Sequence, residues 1–222
     1  MRQLFIGLIA EGNTDVRFLK NVVFNSVQAL SWNCESQVEI FDVRDITVEG
    51  SGFVEKMLNA SHRASEEFGL SILCIHADSD HRSIQSVMEN KFDPFFAELE
   101  KMDDDSYCKH IVPTIPIQMI ESWMLADKDL LKQLINASGM RDVDLGLERS
   151  PESYSDPKAA IENAIRVSMQ FQPKKRRDQI TISDLYETLG NRVPLDKLRM
   201  IPSFNHFEQE VVRVFKEIGL MR

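Results

Sequence analysis

Two short apolar runs, each ending in acidic residues, constrain this chain more than any other feature. Leu4 to Ala10 (LFIGLIA) stops at Glu11-Gly12, and Leu70 to His76 (LSILCIH) stops at Ala77-Asp78-Ser79-Asp80. Runs this short, apolar at successive rather than alternate positions, suit strands buried on both faces, as the strands of a parallel sheet are. Helical spacing follows each. After the first come Val16, Leu19, Val23, Val27 and Leu30, with Asn13 or Thr14 as cap and Asp15 in the first turn; after the second come Ile84, Val87, Met88, Phe92 and Phe95.

The same alternation continues between and beyond these units. Val38 to Val43 is β-rich, Gly50-Ser51-Gly52 breaks the chain, and a helix is expected from Phe53 to Phe68. His110-Ile111-Val112, with Ile115 and Ile117, predicts a fourth strand interrupted or bounded by Pro113 and Pro116, followed by a helix around Glu121 to Leu125. Alternating β and α units imply an α/β fold with a doubly wound parallel sheet of about four strands flanked by helices. From about Gly139 the texture changes to polar loops and helices, at 157–170, 182–189, 195–200 and 204–218, with no strand predicted. The expected organisation is an α/β domain over 1–138 and a mainly helical C-terminal extension over 139–222 packed on it.

Composition narrows the function classes. A chain of 222 residues with 43% hydrophobic content can bury a substantial core. No stretch approaches the roughly 20 apolar residues of a membrane span, and no cleavage pattern precedes the first acidic turn, so a cytoplasmic protein with no membrane partner is expected. Cys34, Cys74 and Cys108 show no CxxC spacing, and Cys74 reads as core. The net charge of -9 argues against a generic nucleic-acid coat, but it is uneven. Residues 1–148 hold 13 Lys and Arg against 25 Asp and Glu, a net of -12, and residues 149–222 hold 13 against 10, a net of +3.

In an open parallel sheet ligands bind beyond the carboxyl ends of the strands, which is where Glu11, Asp78 and Asp80 fall. Carboxylates brought together repel one another, and a cation relieves that repulsion. Mg²⁺ or Mn²⁺, preferring hard oxygen ligands and keeping several waters, leaves positions for substrate phosphate oxygens. Taken singly, each acidic motif reads better as a turn or a capped, solvated loop.

The joint pattern of Glu11-Gly12-Asn13-Thr14-Asp15 after the first strand and Asp78-x-Asp80 after a later one resembles the TOPRIM signature of a glutamate and an Asp-x-Asp pair. The block from Pro116 to Asp127 (PIQMIESWMLAD) resembles the proline, glutamate and tryptophan block of the bacterial domain-of-unknown-function 4276 family, and Ile201 to Phe207 (IPSFNHF) looks like that family's ending. The TOPRIM resemblance covers roughly residues 3–120. It implies a TOPRIM-like Rossmannoid sheet and a Mg²⁺-dependent nuclease, a hydrolase acting on DNA or RNA, of the kind found in anti-phage defence or DNA-maintenance systems. By it Glu11 is a metal ligand or general base, Asp78 and Asp80 are metal ligands, and Glu121 completes the site or is a helix-start carboxylate held by the dipole; the two stay open. For Asp15 a plain helix N-terminal acid is preferred over a supporting or second-metal carboxylate.

Lys174-Lys175-Arg176-Arg177 is a compact basic tract suited to phosphate backbone contacts, although charge runs are more often solvated faces. Lys158 and Arg199 are further candidate cations near a metal. His76 reads as a packed histidine and His81 as the better exposed one; none of the five is assigned a catalytic role. Trp123 reads as core. Tyr107, Tyr154 and Tyr186 occur in no setting that marks a nucleophile, which counts against a topoisomerase. The absence of Gly-x-Gly-x-x-Gly and of a P-loop after the first strand counts against a nucleotide-binding enzyme. The alternative to a nuclease is a non-catalytic TOPRIM-like subunit that binds a partner ATPase, as the resemblance suggests. The apolar helical face of Phe204, Phe207, Val211, Val214 and Phe215 suits core first and a homodimer contact second.

Overall fold

The computed structural model of the chain describes residues 1–80, 83–170 and 180–222. Its elements run β1 (Arg2–Leu4), β2 (Ile6–Ile9), α1 (Asn13–Ser31), β3 (Val38–Ile40), β4 (Arg44–Asp45), α2 (Phe53–Glu66), β5 (Ile72–His76), α3 (Ile84–Val87), a π-helical turn (Met88–Phe92), α4 (Asp93–Leu99) and β6 (Ile111–Thr114). Helices follow: α5 (Glu121–Met124), α6 (Lys128–Leu134), α7 (Asp142–Leu145), α8 (Pro157–Gln170), α9 (Leu185–Arg192), α10 (Leu195–Leu198) and α11 (Pro202–Glu217). No helix among the described residues is long and apolar enough to cross a membrane.

The expected alternation is present: the protein is α/β, with parallel strands flanked by helices. β4, β2, β5 and β6 lie side by side in that order, every pairing parallel. β1 pairs with β3 in a second, two-stranded parallel sheet. The run expected as a single strand over Leu4–Ala10 is thus divided, and the one over Val38–Val43 is cut short at Ile40, with β4 beyond its end. The division falls where the Phe5 and Phe41 rings stack at 4.6 Å and where the Phe5 N–H turns to the Ser71 hydroxyl instead of a ladder partner. Pro113 sits inside β6 rather than bounding it, which an edge strand tolerates because one row of its backbone groups needs no ladder partner.

β2, β5 and β6 are buried on both faces. Leu8, Cys74 and Val112 share one register row and join α1, α8, α9 and α11 in one apolar cluster; Ile9, Leu73, Ile75 and Ile111 join α2 and α4 in another on the opposite face. On the first side Trp123 is fully buried, donates its indole N–H to Ser203 Oγ at 2.7 Å and packs against Phe204 and Phe207. Phe204, Phe207, Val211, Val214 and Phe215 all lie in this cluster, so the apolar face of α11 is core. Among the described residues, 139–222 contain helices and turns and no strand.

Chain order fixes where a crevice opens. From β2 the chain passes through α1 to β4 on one side, then returns across α2, on the other face, to β5 on the far side of β2. The direction of winding reverses between β2 and β5, and in such sheets the reversal leaves a crevice at the carboxyl ends of the two strands.

Candidate functional site

Both acidic motifs flank that crevice. β2 ends at Ile9, two residues before Glu11, and Asp15 stands in the first turn of α1. β5 ends on His76, which places Asp78 beyond it, and the loop after β6 leads into α5, whose first residue is Glu121. The two loops are tied together: the Gln118 N–H donates to Ser79 Oγ at 2.7 Å, and the Asp80 N–H donates to the Gln118 carbonyl at 3.2 Å. Asp80 and Gln118 both adopt positive φ, 47° and 67°, a conformation that costs non-glycine residues and that clusters at functional sites.

The groups that meet differ in part from those expected. Asp78 and Asp15 converge on His76, whose Nε2 lies 3.1 Å from Asp78 Oδ1 and whose Nδ1 lies 3.9 Å from Asp15 Oδ2. Neither ring nitrogen, however, has the alignment of a hydrogen bond, and Asp78 Oδ1 also lacks one. Nε2 and Oδ1 face each other as an ion pair, and His76 Nδ1 is left without a hydrogen-bond partner at the floor of the crevice, where such a group costs about 1–3 kcal/mol. Asp15 accepts the Gly12 N–H at 3.0 Å, so it is a helix N-terminal acid as expected and a member of the cluster as well. Glu121 is buried and accepts the phenol of Tyr186, which α9 brings in from 65 residues along the chain.

Glu11 sits at the rim, half exposed, its carboxylate 3.3 Å from Lys91 Nζ. Asp80 is exposed, and among the described residues its carboxylate joins none of these contacts. Among the described residues no three His, Cys, Asp or Glu side chains stand close enough together to enclose a metal ion. Arg199 is engaged by Glu208, at 2.8 and 2.9 Å, and Lys158 is exposed, so the cation at the rim is Lys91 rather than either. Lys174 to Arg177, and His81, lie outside the described residues.

The electrostatics follow from this crowding. Burial raises the Asp15 pKa, Asp78 raises it further, and His76 with the Gly12 N–H offsets only part of the rise. Burial likewise raises Glu121, with Asp15 and Asp78 adding to the rise against the Tyr186 hydrogen bond. For His76, burial opposes the imidazolium, but Asp78, Asp15 and Glu11 outweigh it and the pKa is raised. Burial and Glu121 push the Tyr186 phenol far up, so it remains a neutral donor.

All three shifts have one sign: the folded chain binds these protons more tightly than the unfolded chain does. Their contribution to stability is full below the unfolded pKa values and is lost as pH rises through the folded ones, from the carboxyl range for Asp15 and Glu121 to above 6.5 for His76. Melting followed by circular dichroism is expected to show a higher Tm near pH 5.5 than near pH 8. Equal melting at both pH values would contradict the arrangement.

His76 could have been suspected as the one polar residue closing an apolar strand next to Asp-Ser-Asp. Tyr186 carries no local signal. The chain matches no family model, no curated protein and no solved structure.

Proposed function

We propose that the chain is a divalent-metal-dependent phosphodiesterase of TOPRIM type acting on nucleic acid. The observation that carries this reading is the approach of Asp15 and Asp78 to His76 at the winding reversal of a parallel sheet, with Glu121 near enough to feel both carboxylates and Glu11 on the rim. A structural cluster of acids would be neutralised by cations. Here the acids are held together by burial, which raises the carboxyl pKa values of Asp15 and Glu121. Hard oxygens in excess of available cations fit Mg²⁺ or Mn²⁺, which needs only one or two protein carboxylates and completes its shell with water and phosphate oxygens.

On this reading Asp78 and Asp15 would hold the ion, and Glu11 and Asp80 are the further carboxylates of the same two loops. Bound there, a divalent metal would supply charge stabilisation for the phosphoryl group and a more acidic water. The chain's own residues do the rest. Tyr186 fixes the Glu121 carboxylate by donating its phenol proton, and the Gly12 N–H fixes Asp15. Lys91, at the rim, is placed to offset charge on the leaving group. The tie between Ser79 and Gln118 keeps the β5 and β6 loops from drifting apart. The resemblance to the domain-of-unknown-function 4276 family is the second support and points the same way.

The test is incubation of plasmid, single-stranded DNA and RNA with the purified chain and Mg²⁺ or Mn²⁺. Cleavage is expected with metal, to stop with EDTA, and to be lost in both Glu11→Ala and Asp78→Ala. A parent chain that binds Mg²⁺ without cutting any of the three substrates would turn the proposal toward a non-catalytic subunit serving a partner ATPase.

A further inference from the structure

Beside the acidic cluster, on the α2 side of the sheet, lies a cleft of about 370 Å³ whose walls include Glu11, Gly52, Phe53, Lys56, His76 and Lys91. We infer that this cleft is a phosphate-binding subsite that seats a single nucleotide unit of the substrate, its phosphate between Lys56 and Lys91 and its base against Phe53. That the phosphate belongs to a nucleic acid rests on the nuclease reading above; the anion site itself does not.

Four observations converge on it. First, the cleft is cationic in the acidic part of the chain: two ammonium groups line it against the single carboxylate of Glu11. Lys91 is shared with Glu11, but Lys56, half-buried, enters no ion pair among the described residues. A lysine binds phosphate as a compact point charge, without needing the fork geometry of arginine. Second, α2 is a 14-residue helix whose N-terminus, at Gly52, opens on the same wall, where partial positive charge and first-turn N–H groups favour an anion. Glu55, the acid of that first turn, is already satisfied by the Ser51 N–H and hydroxyl.

Third, the fully buried ring of His76 stands in the wall of the cleft with its Nε2 3.1 Å from Asp78 Oδ1, so the cleft and the acidic cluster share a boundary one side chain thick. Fourth, Lys91 is carried by the π-helical turn Met88–Phe92, an uncommon distortion that is often found at functional sites. The extra residue in that turn sets Lys91 over the Phe53 ring, with Nζ 5.8 Å from its centroid, while Phe92 packs against the same ring from the core side.

Size and polarity give the occupant. The volume is far more than a phosphate needs and lies at the lower end of small-ligand pockets, as one nucleotide requires. Ile9, Met57 and Phe53 provide an apolar wall for a base, and the lysines stand where its phosphate would be. Such a seat next to the carboxylates positions a neighbouring phosphodiester over them, which is how binding energy remote from the reacting bond is turned into orientation.

The experiment is titration of the chain, in EDTA, with inorganic phosphate and with the four nucleoside 5′-monophosphates, followed by calorimetry and by perturbation of amide resonances. Saturable binding of the monophosphates is expected, tighter than inorganic phosphate, weakened at least tenfold by Lys56→Met with Lys91→Met, and retained by Lys91→Arg. Asp15→Asn, in the acidic cluster but outside the cleft, is expected to bind at least as tightly as the parent. Monophosphate binding untouched by the double lysine variant, with melting of that variant unchanged, would overturn the subsite. Because metal is absent, nucleotide binding without any cleavage activity would leave the subsite standing and remove the nuclease; cleavage without nucleotide binding would do the reverse.

Discussion

At pH 8 Asp15→Asn is expected to melt higher than the parent chain while losing most of the metal-dependent cleavage proposed for it. The carboxylate is unfavourable where it stands: burial and Asp78 disfavour its ionised form by more than His76 and the Gly12 N–H favour it. An amide has the same shape, keeps an oxygen to accept the Gly12 N–H at 3.0 Å, and carries no charge. In a chain of this length each kcal/mol gained raises Tm by roughly 2–4 °C, and a rise in that range is expected. Activity is expected to move the other way, by about 10- to 100-fold, the usual loss when a group that holds or supports a metal is removed. Glu121→Gln is expected to behave alike, since its amide oxygen still accepts from Tyr186. A purely structural acid would show the opposite pattern, lower Tm with activity falling only as folded protein is lost. That outcome would remove Asp15 from the site.

This trade of stability for chemistry bears on what the sequence could reveal. Glu11, Asp78 and Asp80 were found because each follows an apolar run, and the run itself predicts a strand end. That logic is local, and it places residues at the crevice without saying where their side chains turn. Glu11 turns to Lys91 at the rim, and Asp80 is exposed at positive φ. Asp15 was read as a helix cap. It is one, and the same geometry that caps the helix aims the carboxylate at His76. Glu121 is the first residue of α5, as the helix-start reading has it, and its carboxylate is also buried, held by Tyr186 and close enough to Asp15 and Asp78 to be raised by them.

The fold shows the same division. Period and run length located four strands, α1, α2, α8 and α11 to within a few residues, since each rests on its own apolar pattern. The breaks in the first two strands depend on the stacking of Phe5 on Phe41, between segments 36 residues apart, and no local pattern encodes it. The π turn at Met88–Phe92 likewise hid inside a run that satisfies helical spacing. Tyr186 was passed over for the same reason: its role is set by the seat of α9 on α1, a tertiary contact.

That seat sets up the second large effect. Gly190, on α9 one turn beyond Tyr186, lies so near α1 that a Cβ built on it would stand 2.5 Å from the Phe18 carbonyl oxygen and 3.0 Å from Phe18 Cα. The obstacle is backbone of a buried helix, so no side-chain rotation relieves it. A glycine in a helix interior normally costs roughly 0.5–1 kcal/mol relative to alanine, and its presence here is the cost of the close approach. Gly190→Ala regains that propensity and loses the contact; Gly190→Val loses the contact to a larger side chain with little propensity to offset it. The valine variant is expected to be destabilised by about 3 kcal/mol, the upper end of what overpacking costs. That corresponds to a Tm lower by roughly 6–12 °C at this chain length. It is also expected to lose cleavage at temperatures where it remains folded, because moving α9 off α1 carries the Tyr186 phenol away from Glu121. Tyr186→Phe separates the two effects, removing the hydroxyl while leaving the helix seated. If Gly190→Val melts with the parent chain, α9 has room to move and Tyr186 is not held over the site by this contact; if it melts low but cuts normally below its transition, the phenol is dispensable and Glu121 is positioned by burial alone.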